Sequence, residues 1–157
     1  MISKGIWAGY LSLIFACNEK KQDPSPQADV IDKEQIKKEI QAKEDSFAAV
    51  YNSGELRSIG YYADDAISFF QNQQPLKGRD AIANFLKDDM SSNSGRKITF
   101  QTNEVFVSND GNLVTEVGYY RVVDSTGSPV NTGNYMSLFE KRNGKYVALR
   151  DMSAGDR

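Results

Sequence analysis

The chain contains no histidine, which removes Ser-His-Asp and Cys-His nucleophiles and every His-ligated metal site at once. Its single cysteine, Cys17, cannot form an internal disulfide or a Cys-rich zinc site. Neither sign of charge is in excess, with Lys+Arg 19 against Asp+Glu 21. The basic footprint of a nucleic-acid binder is therefore missing. The one long uncharged run, Gly5–Ala16, falls well short of the roughly 20 apolar residues a bilayer core requires. No Gly-rich phosphate loop occurs, and no cofactor or metal is expected. What is present is aromatic: eight tyrosines and eight phenylalanines in 157 residues that are 39% hydrophobic. That is too apolar for a disordered chain and long enough for one domain. Carboxylates, tyrosines and arginines are left as the polar chemistry.

Residues 1–16 are expected to be an address rather than part of the fold. Lys4 supplies the positive start, and the apolar run ends in Ile14-Phe15-Ala16-Cys17, the arrangement of a secretory signal. The last four residues resemble the bacterial lipobox, which implies cleavage before Cys17 and attachment of diacylglyceryl and N-acyl chains such as palmitate. More than one lipid chain is enough for stable anchoring. Residues 17–29 are polar, carry Pro24 and Pro26, and read as a flexible tether. The expected location is the cell envelope, membrane-anchored and facing the periplasm or the surface, with the lipid membrane as partner through Cys17.

Residues 30–157 read as one α+β domain. Asp32 and Gln35 form a capping box ahead of a helix whose stripe is Ile36, Ile40, Phe47, Val50 and Tyr51. Asn52-Ser53-Gly54 ends it. A short second helix is expected over Glu55–Tyr62, a strand over Ala66–Phe70, and a third helix after Gly78 on Ala81, Ile82, Phe85 and Leu86. The period then changes. Ile98–Val107, Leu113–Val123, Val130–Lys141 and Lys145–Met152 are β-rich, with Asp110-Gly111 and Asn143-Gly144 as type I′ turn dipeptides. The expected architecture is about three N-terminal helices on a curved, mostly antiparallel sheet.

Counting outward from the turns pairs Val117 with Glu104 and Met136, and Tyr119 with Thr102 and Asn134. It pairs Leu138 with Leu149, and Met136 with Asp151. One face then carries Ile98, Phe100, Phe106, Leu113, Val117, Tyr119, Met136, Leu138, Val147 and Leu149, with Thr102, Glu104, Asn134 and Asp151 among them. The other carries Val105, Val107, Val114, Tyr120, Phe139, Tyr146, Ala148 and Met152. Both faces being partly apolar, the sheet is expected to meet a second copy as a homodimer.

Three segments taken together resemble the SnoaL-like and ketosteroid-isomerase-like superfamily: Phe47-Ala48-Ala49-Val50-Tyr51-Asn52-Ser53-Gly54, Tyr62-Ala63-Asp64-Asp65-Ala66 and Pro75-Leu76-Lys77-Gly78-Arg79-Asp80-Ala81-Ile82. Gly133-Asn134-Tyr135, Asn143-Gly144-Lys145-Tyr146 and Leu149-Arg150-Asp151 resemble domain of unknown function 4440 within it. The resemblance implies the nuclear transport factor 2-like fold, a conical α+β barrel with a pocket between the long helix and the sheet. It does not imply a reaction. The positions that serve isomerase chemistry fall at Phe47, Phe70 and Met136 or Ser137, none of which can ionise, so ketosteroid isomerase chemistry is not expected.

Asp64 and Asp65 are assigned to a helix-to-strand turn and its hydrogen bonds. Asp151 is the carboxylate expected to point inward, near Tyr119, Asn134 and Met136. The candidate pocket residues are polar Tyr119, Asn134 and Asp151 and apolar Tyr51, Phe70 and Met136. Two functions follow. The first is a non-catalytic module that holds a small apolar or amphipathic ligand, or that dimerises. The second is an acid–base isomerase, dehydratase or hydrolase with Asp151 as base. A buried Asp151 with a raised pKa at the pocket would favour the second.

Overall fold

The computed structural model describes residues 31–55, 60–93 and 95–156; the signal, Cys17 and the tether lie outside them. In chain order the elements are α1 (Lys33–Ser53), β1 (Tyr62–Phe69), β2 (Leu76–Lys77), α2 (Arg79–Ser92), β3 (Lys97–Val107), β4 (Leu113–Val123), β5 (Pro129–Arg142) and β6 (Lys145–Gly155). The strands form one sheet in the order β2-β1-β6-β5-β4-β3. β1 runs parallel to β6 and every other pair is antiparallel. This is an α+β fold with a mixed sheet, α1 lying against β3 and α2 against β1. No helix among the described residues is long and apolar enough to cross a membrane.

Helix α1 starts where a side chain replaces a missing carbonyl: Asp32 Oδ1 accepts the Gln35 N–H at 2.9 Å. It stops at Gly54, whose φ of 79° suits a residue without Cβ. Two helices rather than three are found among the described residues. Glu55, Gly60 and Tyr61 are not helical, residues 56–59 lie outside the described ones, and β1 already begins at Tyr62. The segment is drawn into the sheet because Tyr61 and Tyr62 meet Ala148 of β6, whose N–H donates to Tyr61 O at 2.7 Å. Asp64 and Asp65 are therefore strand residues. An irregularity in β1 leaves both outward, where Asp64 pairs with Arg79 and Asp65 with Arg142.

The turn at Asn143-Gly144 has positive φ at both residues, 52° and 76°, as a type I′ hairpin requires. At Asp110-Gly111 a wider loop replaces the two-residue turn. Ser108 N–H donates to Leu113 O at 2.9 Å, and Asp110 Oδ1 holds the Asn112 N–H at 3.0 Å. The register next to each loop is the one counted from it. Val117 opposes Glu104 across the first hairpin, Met136 and Asn134 oppose Val117 and Tyr119 across the β4–β5 connection, and Arg142 opposes Lys145 across the last turn. Two β-bulges then change the pairing. Asn103 is extra in β3, so Tyr119 opposes Gln101, and Leu149 is extra in β6, so Asp151 opposes Ser137 and Met136 opposes Met152. Each bulge moves the following side chains to the other face.

The face turned to the helices consequently carries Val114, Glu116, Gly118, Tyr120, Tyr135, Ser137, Phe139, Tyr146 and Ala148, all buried. β3 is an edge strand, and α1 satisfies its free backbone groups. Lys37 Nζ donates to Asn103 O at 2.6 Å, and Gln41 Nε2 to Phe100 O at 3.2 Å. Gln41 Oε1 accepts the Thr102 N–H at 2.7 Å. Asn52 both donates to Ile98 O and accepts the Ile98 N–H, each at 2.8 Å.

Candidate functional site

Between α1, α2 and the concave face of the sheet lies a cavity of about 300 Å³. Phe47 and Tyr51 from α1, Phe85 from α2, and Phe70, Phe100 and Tyr135 supply aromatic walls. The rings brace one another: Phe70 and Phe85 lie 4.4 Å apart between centroids, and Phe100 meets Tyr135 edge-on at 5.3 Å. The outer end is formed by half-buried Asp89 and Asn93 with exposed Arg96 and Lys97, and the buried end by Glu44, Tyr61, Tyr62 and Ser137 with half-buried Asp151. Tyr51 OH donates to Asp89 and ties the two helices together.

Acids occupy the core side of this cavity. Glu44 is 1% exposed and Glu116 is fully buried. Glu44 Oε1 accepts the Tyr61 hydroxyl. Glu116 Oε1 accepts Thr102 Oγ1 at 2.5 Å and Tyr135 OH at 2.8 Å. The Tyr135 ring reaches across because Gly118 opposes it; a Cβ there would overlap the ring. Asp151 Oδ2 accepts Tyr62 OH at 3.0 Å. Asp151 Oδ1 and Glu116 Oε2 are buried without a partner.

These carboxyls hold their protons more tightly than exposed ones. Burial pushes Glu44 well above the ordinary range, and the neighbouring Glu116 carboxylate pushes it further. Burial also raises Glu116 and Asp151, against the hydroxyls that pull them down. Tyr61 and Tyr62, buried next to carboxylates, have raised pKa values and remain hydrogen-bond donors. Chemically, the buried end is a set of proton-holding carboxyls with neutral tyrosines pinned to them. Among the described residues no three acidic side chains converge as metal ligands do.

The structure brings some of the candidate residues together and separates others. Tyr51, Phe70 and Asp151 line the cavity. Tyr119, Asn134 and Met136 do not: they sit on the outer face, where Met136 is 45% exposed. The bulge at Leu149 is the reason, since it turns Asp151 inward while Met136 and Asn134 stay out. Phe47, Phe70 and Ser137 lie at the cavity wall. Arg150 points away from Asp151, donating to Asp65 O at 3.2 Å, and Glu104 is exposed. Glu44 and Glu116 were not foreseen, though their phase was visible. Glu44 stands four residues after Ile40 and three before Phe47, and Glu116 sits between Val114 and Gly118 in the strand's alternation.

Residues 44–149 match the family model described as a SnoaL-like domain. No curated protein sequence matches the chain. Among solved structures, a domain of unknown function with a cystatin-like fold from Nostoc punctiforme superposes with a TM-score of 0.67 at 16% identity, over 80% of this chain and 78% of that one. An NTF2-like protein with a cystatin-like fold from Novosphingobium aromaticivorans gives 0.61 at 16%, over 76% and 81%. A ketosteroid isomerase-like protein from Erwinia carotovora atroseptica gives 0.59 at 15%, over 76% and 95%. Identities this low speak for a shared fold.

Proposed function

The chain belongs to the family of SnoaL-like domains, and we propose that its cone is a binding pocket for one small apolar or amphipathic molecule, carried on a lipid-anchored envelope protein. The observation behind the pocket is the 300 Å³ cavity itself, aromatic along its walls with Asp151 at its buried end. Apolar walls with a few convergent polar groups are the usual form of a small-molecule site. The test is amide NMR of residues 30–157 with a library of one- and two-ring fragments. Binding is expected to move resonances of Phe47, Phe85 and Phe100 together; no perturbation by any fragment at millimolar concentration would overturn the pocket.

Anchoring rests on Ile14-Phe15-Ala16-Cys17 and the polar spacer after it, which together support a lipidated Cys17 and an envelope location. Cys17→Ala is expected to move the protein from the membrane to the soluble fraction, and mass spectrometry of wild type to show the acylated N-terminus. A variant that stays membrane-bound and unprocessed would point to a plain signal anchor. The finer likeness, to domain of unknown function 4440, rests on the Gly133-Asn134-Tyr135 and Asn143-Gly144-Lys145-Tyr146 segments.

A second reading is supported by the surroundings of Asp151, a carboxyl of raised pKa with the Tyr61 and Tyr62 hydroxyls near it. Such a group serves as a general base toward a carbon acid. Deuterium exchange at the α-carbon of cyclohexenone, accelerated by wild type and not by Asp151→Asn, would identify an acid–base enzyme. Equal rates with both proteins would leave the binding module.

A further inference from the structure

Resting on the pocket reading above, we infer that the molecule the cone selects is an organic cation, an aromatic or alicyclic amine whose ammonium group seats between Glu44 and Asp151. The argument begins from donors and acceptors. At the buried end the tyrosine hydroxyls are already committed: Tyr61 donates to Glu44, Tyr62 to Asp151 and, one layer behind, Tyr135 to Glu116. The Ser68 hydroxyl, opposite Asp151 across the β1–β6 pairing, lies behind the cavity and helps hold the Asp151 pKa down. Capacity remains on the accepting side at Asp151 Oδ1, whereas Glu116, which does not line the cavity, shares a hydrogen bond with Glu44. A carboxylate placed there would meet like charge once the carboxyls ionise, and a carbonyl would find a donor only in a carboxyl that keeps its proton. An ammonium brings three N–H donors and no acceptor.

Charge agrees with that count. Among the described residues the cations with carboxylate partners are Arg79 and Arg142, which pair with Asp64, Asp65 and Glu140. None reaches Glu44, Glu116 or Asp151, so a buried group of acids has no counter-ion of its own. Arg96 and Lys97 stand at the outer end, Arg96 held on Asn93 Oδ1 at 2.6 Å, and outnumber the one acid there, Asp89, which is engaged by the Tyr51 hydroxyl. They favour an ammonium that has passed inward over one left at the mouth. The rings around the buried end, Phe47, Tyr61 and Tyr62, present π faces and edges within 4.7 to 6.1 Å of one another. Aromatic walls beside carboxylates are a setting in which cations are held. With the cavity empty, burial keeps the carboxyls protonated to higher pH than usual; a bound ammonium takes the place of such a proton. The cavity admits about ten waters' worth of ligand, the size of a one- or two-ring amine.

The probes are tryptamine, tryptophol and indole-3-acetate, which share a ring system and differ in the group at the end of the chain. Their affinities for residues 30–157, the part that holds every described element, are measured by calorimetry at pH 8 and pH 5. Tryptamine is expected to bind about tenfold or more tightly than tryptophol at pH 8, the scale of a hydrogen bond to a charged partner. The preference shrinks toward pH 5, because Asp151 and Glu44 take up protons and the groups facing them, Tyr61, Tyr62 and Glu116, supply no compensating negative charge there. Asp151→Asn should bring tryptamine down to the level of tryptophol while leaving tryptophol within about threefold; the wild-type pH comparison carries the test if that variant fails to fold. Tryptophol binding as tightly as tryptamine, or indole-3-acetate binding tightest, would overturn the cation and leave the pocket. If none of the three binds at millimolar concentration, the pocket reading falls and the cation with it.

Discussion

Glu44 enters the core on the helical face that also carries Ile40 and Phe47, and burial there lifts its pKa well above the ordinary 4.5. A carboxyl raised on folding binds more protons folded than unfolded, so stability falls as pH rises. Its contribution is fully present below about pH 4.5 and is lost as the pH climbs through the raised value. Glu116 and Asp151 shift in the same direction and add to the slope. Exposed Asp65, Asp110 and Asp124 are shifted the other way by their hydrogen bonds, and their effect is confined to more acid solution. Thermal unfolding of wild type should therefore show a midpoint that declines between pH 5 and pH 8. Glu44→Gln keeps an oxygen for the Tyr61 hydroxyl and removes the charge. It is expected to be more stable than wild type at pH 8 by about 1–3 kcal/mol, with a flatter profile. A wild-type midpoint level across that range would show that the acids ionise in the fold without penalty.

At the level of elements, α1 acts as the cover of an edge strand. Gln41 and Asn52 meet the backbone of β3 at Phe100, Thr102 and Ile98 as a neighbouring strand would. Removing both side chains leaves those groups half-buried and unpaired. Gln41→Ala with Asn52→Ala should cost about 2–4 kcal/mol, read by denaturant unfolding. Hydrogen exchange at the Ile98 and Thr102 amides should accelerate more than at Val114, in the centre of the sheet; uniform acceleration would mean that the side chains stabilise the fold only globally. The sequence carried the elements themselves clearly: the Asp32 cap, the Gly54 stop, the Asn143-Gly144 turn and the pairings next to each loop. It carried the site poorly, for a local reason. Asn103 and Leu149 bear no mark of a bulge, being neither Gly nor Pro, yet each reverses the faces beyond it. Asp151 was legible as an inward acid, whereas Tyr119, Asn134 and Met136 were assigned to its face by a register that Leu149 interrupts. Glu44 and Glu116 are different. Their phase put them in the core, and their charge argued against it, because buried acids without cations are rare.

Seen as a whole molecule, the sheet leaves an apolar band on the side away from the helices. Phe69, Met152, Met136 and Val117 stand next to one another across β1, β6, β5 and β4, directly paired at each step. Phe69 is 40% exposed, Met136 45% and Met152 54%, with Phe106 at 60% on the adjoining strand. The band is flexible at its centre, where two methionines adapt to whatever lies against them, and it ends in Glu104 on β3. A band of this kind placed against its own copy by a two-fold axis sets methionine on methionine and moves the terminal acids to the rim, which is the self-complementarity a two-fold interface requires. A stable dimer buries about 800 Å² on each partner, an area within reach of a six-stranded face. The homodimer proposed from the two-sided apolar pattern of the sequence therefore has a definite centre, and its test is local. Sedimentation velocity on residues 30–157 should give a dimer at micromolar concentration. Met136→Glu, which places a carboxylate at that centre and does not itself line the cavity, should give a folded monomer that still binds the same fragments as wild type. A wild-type protein that sediments as a monomer would remove the dimer, and a Met136→Glu monomer that has lost fragment binding would show that the cone needs its second copy to stay open.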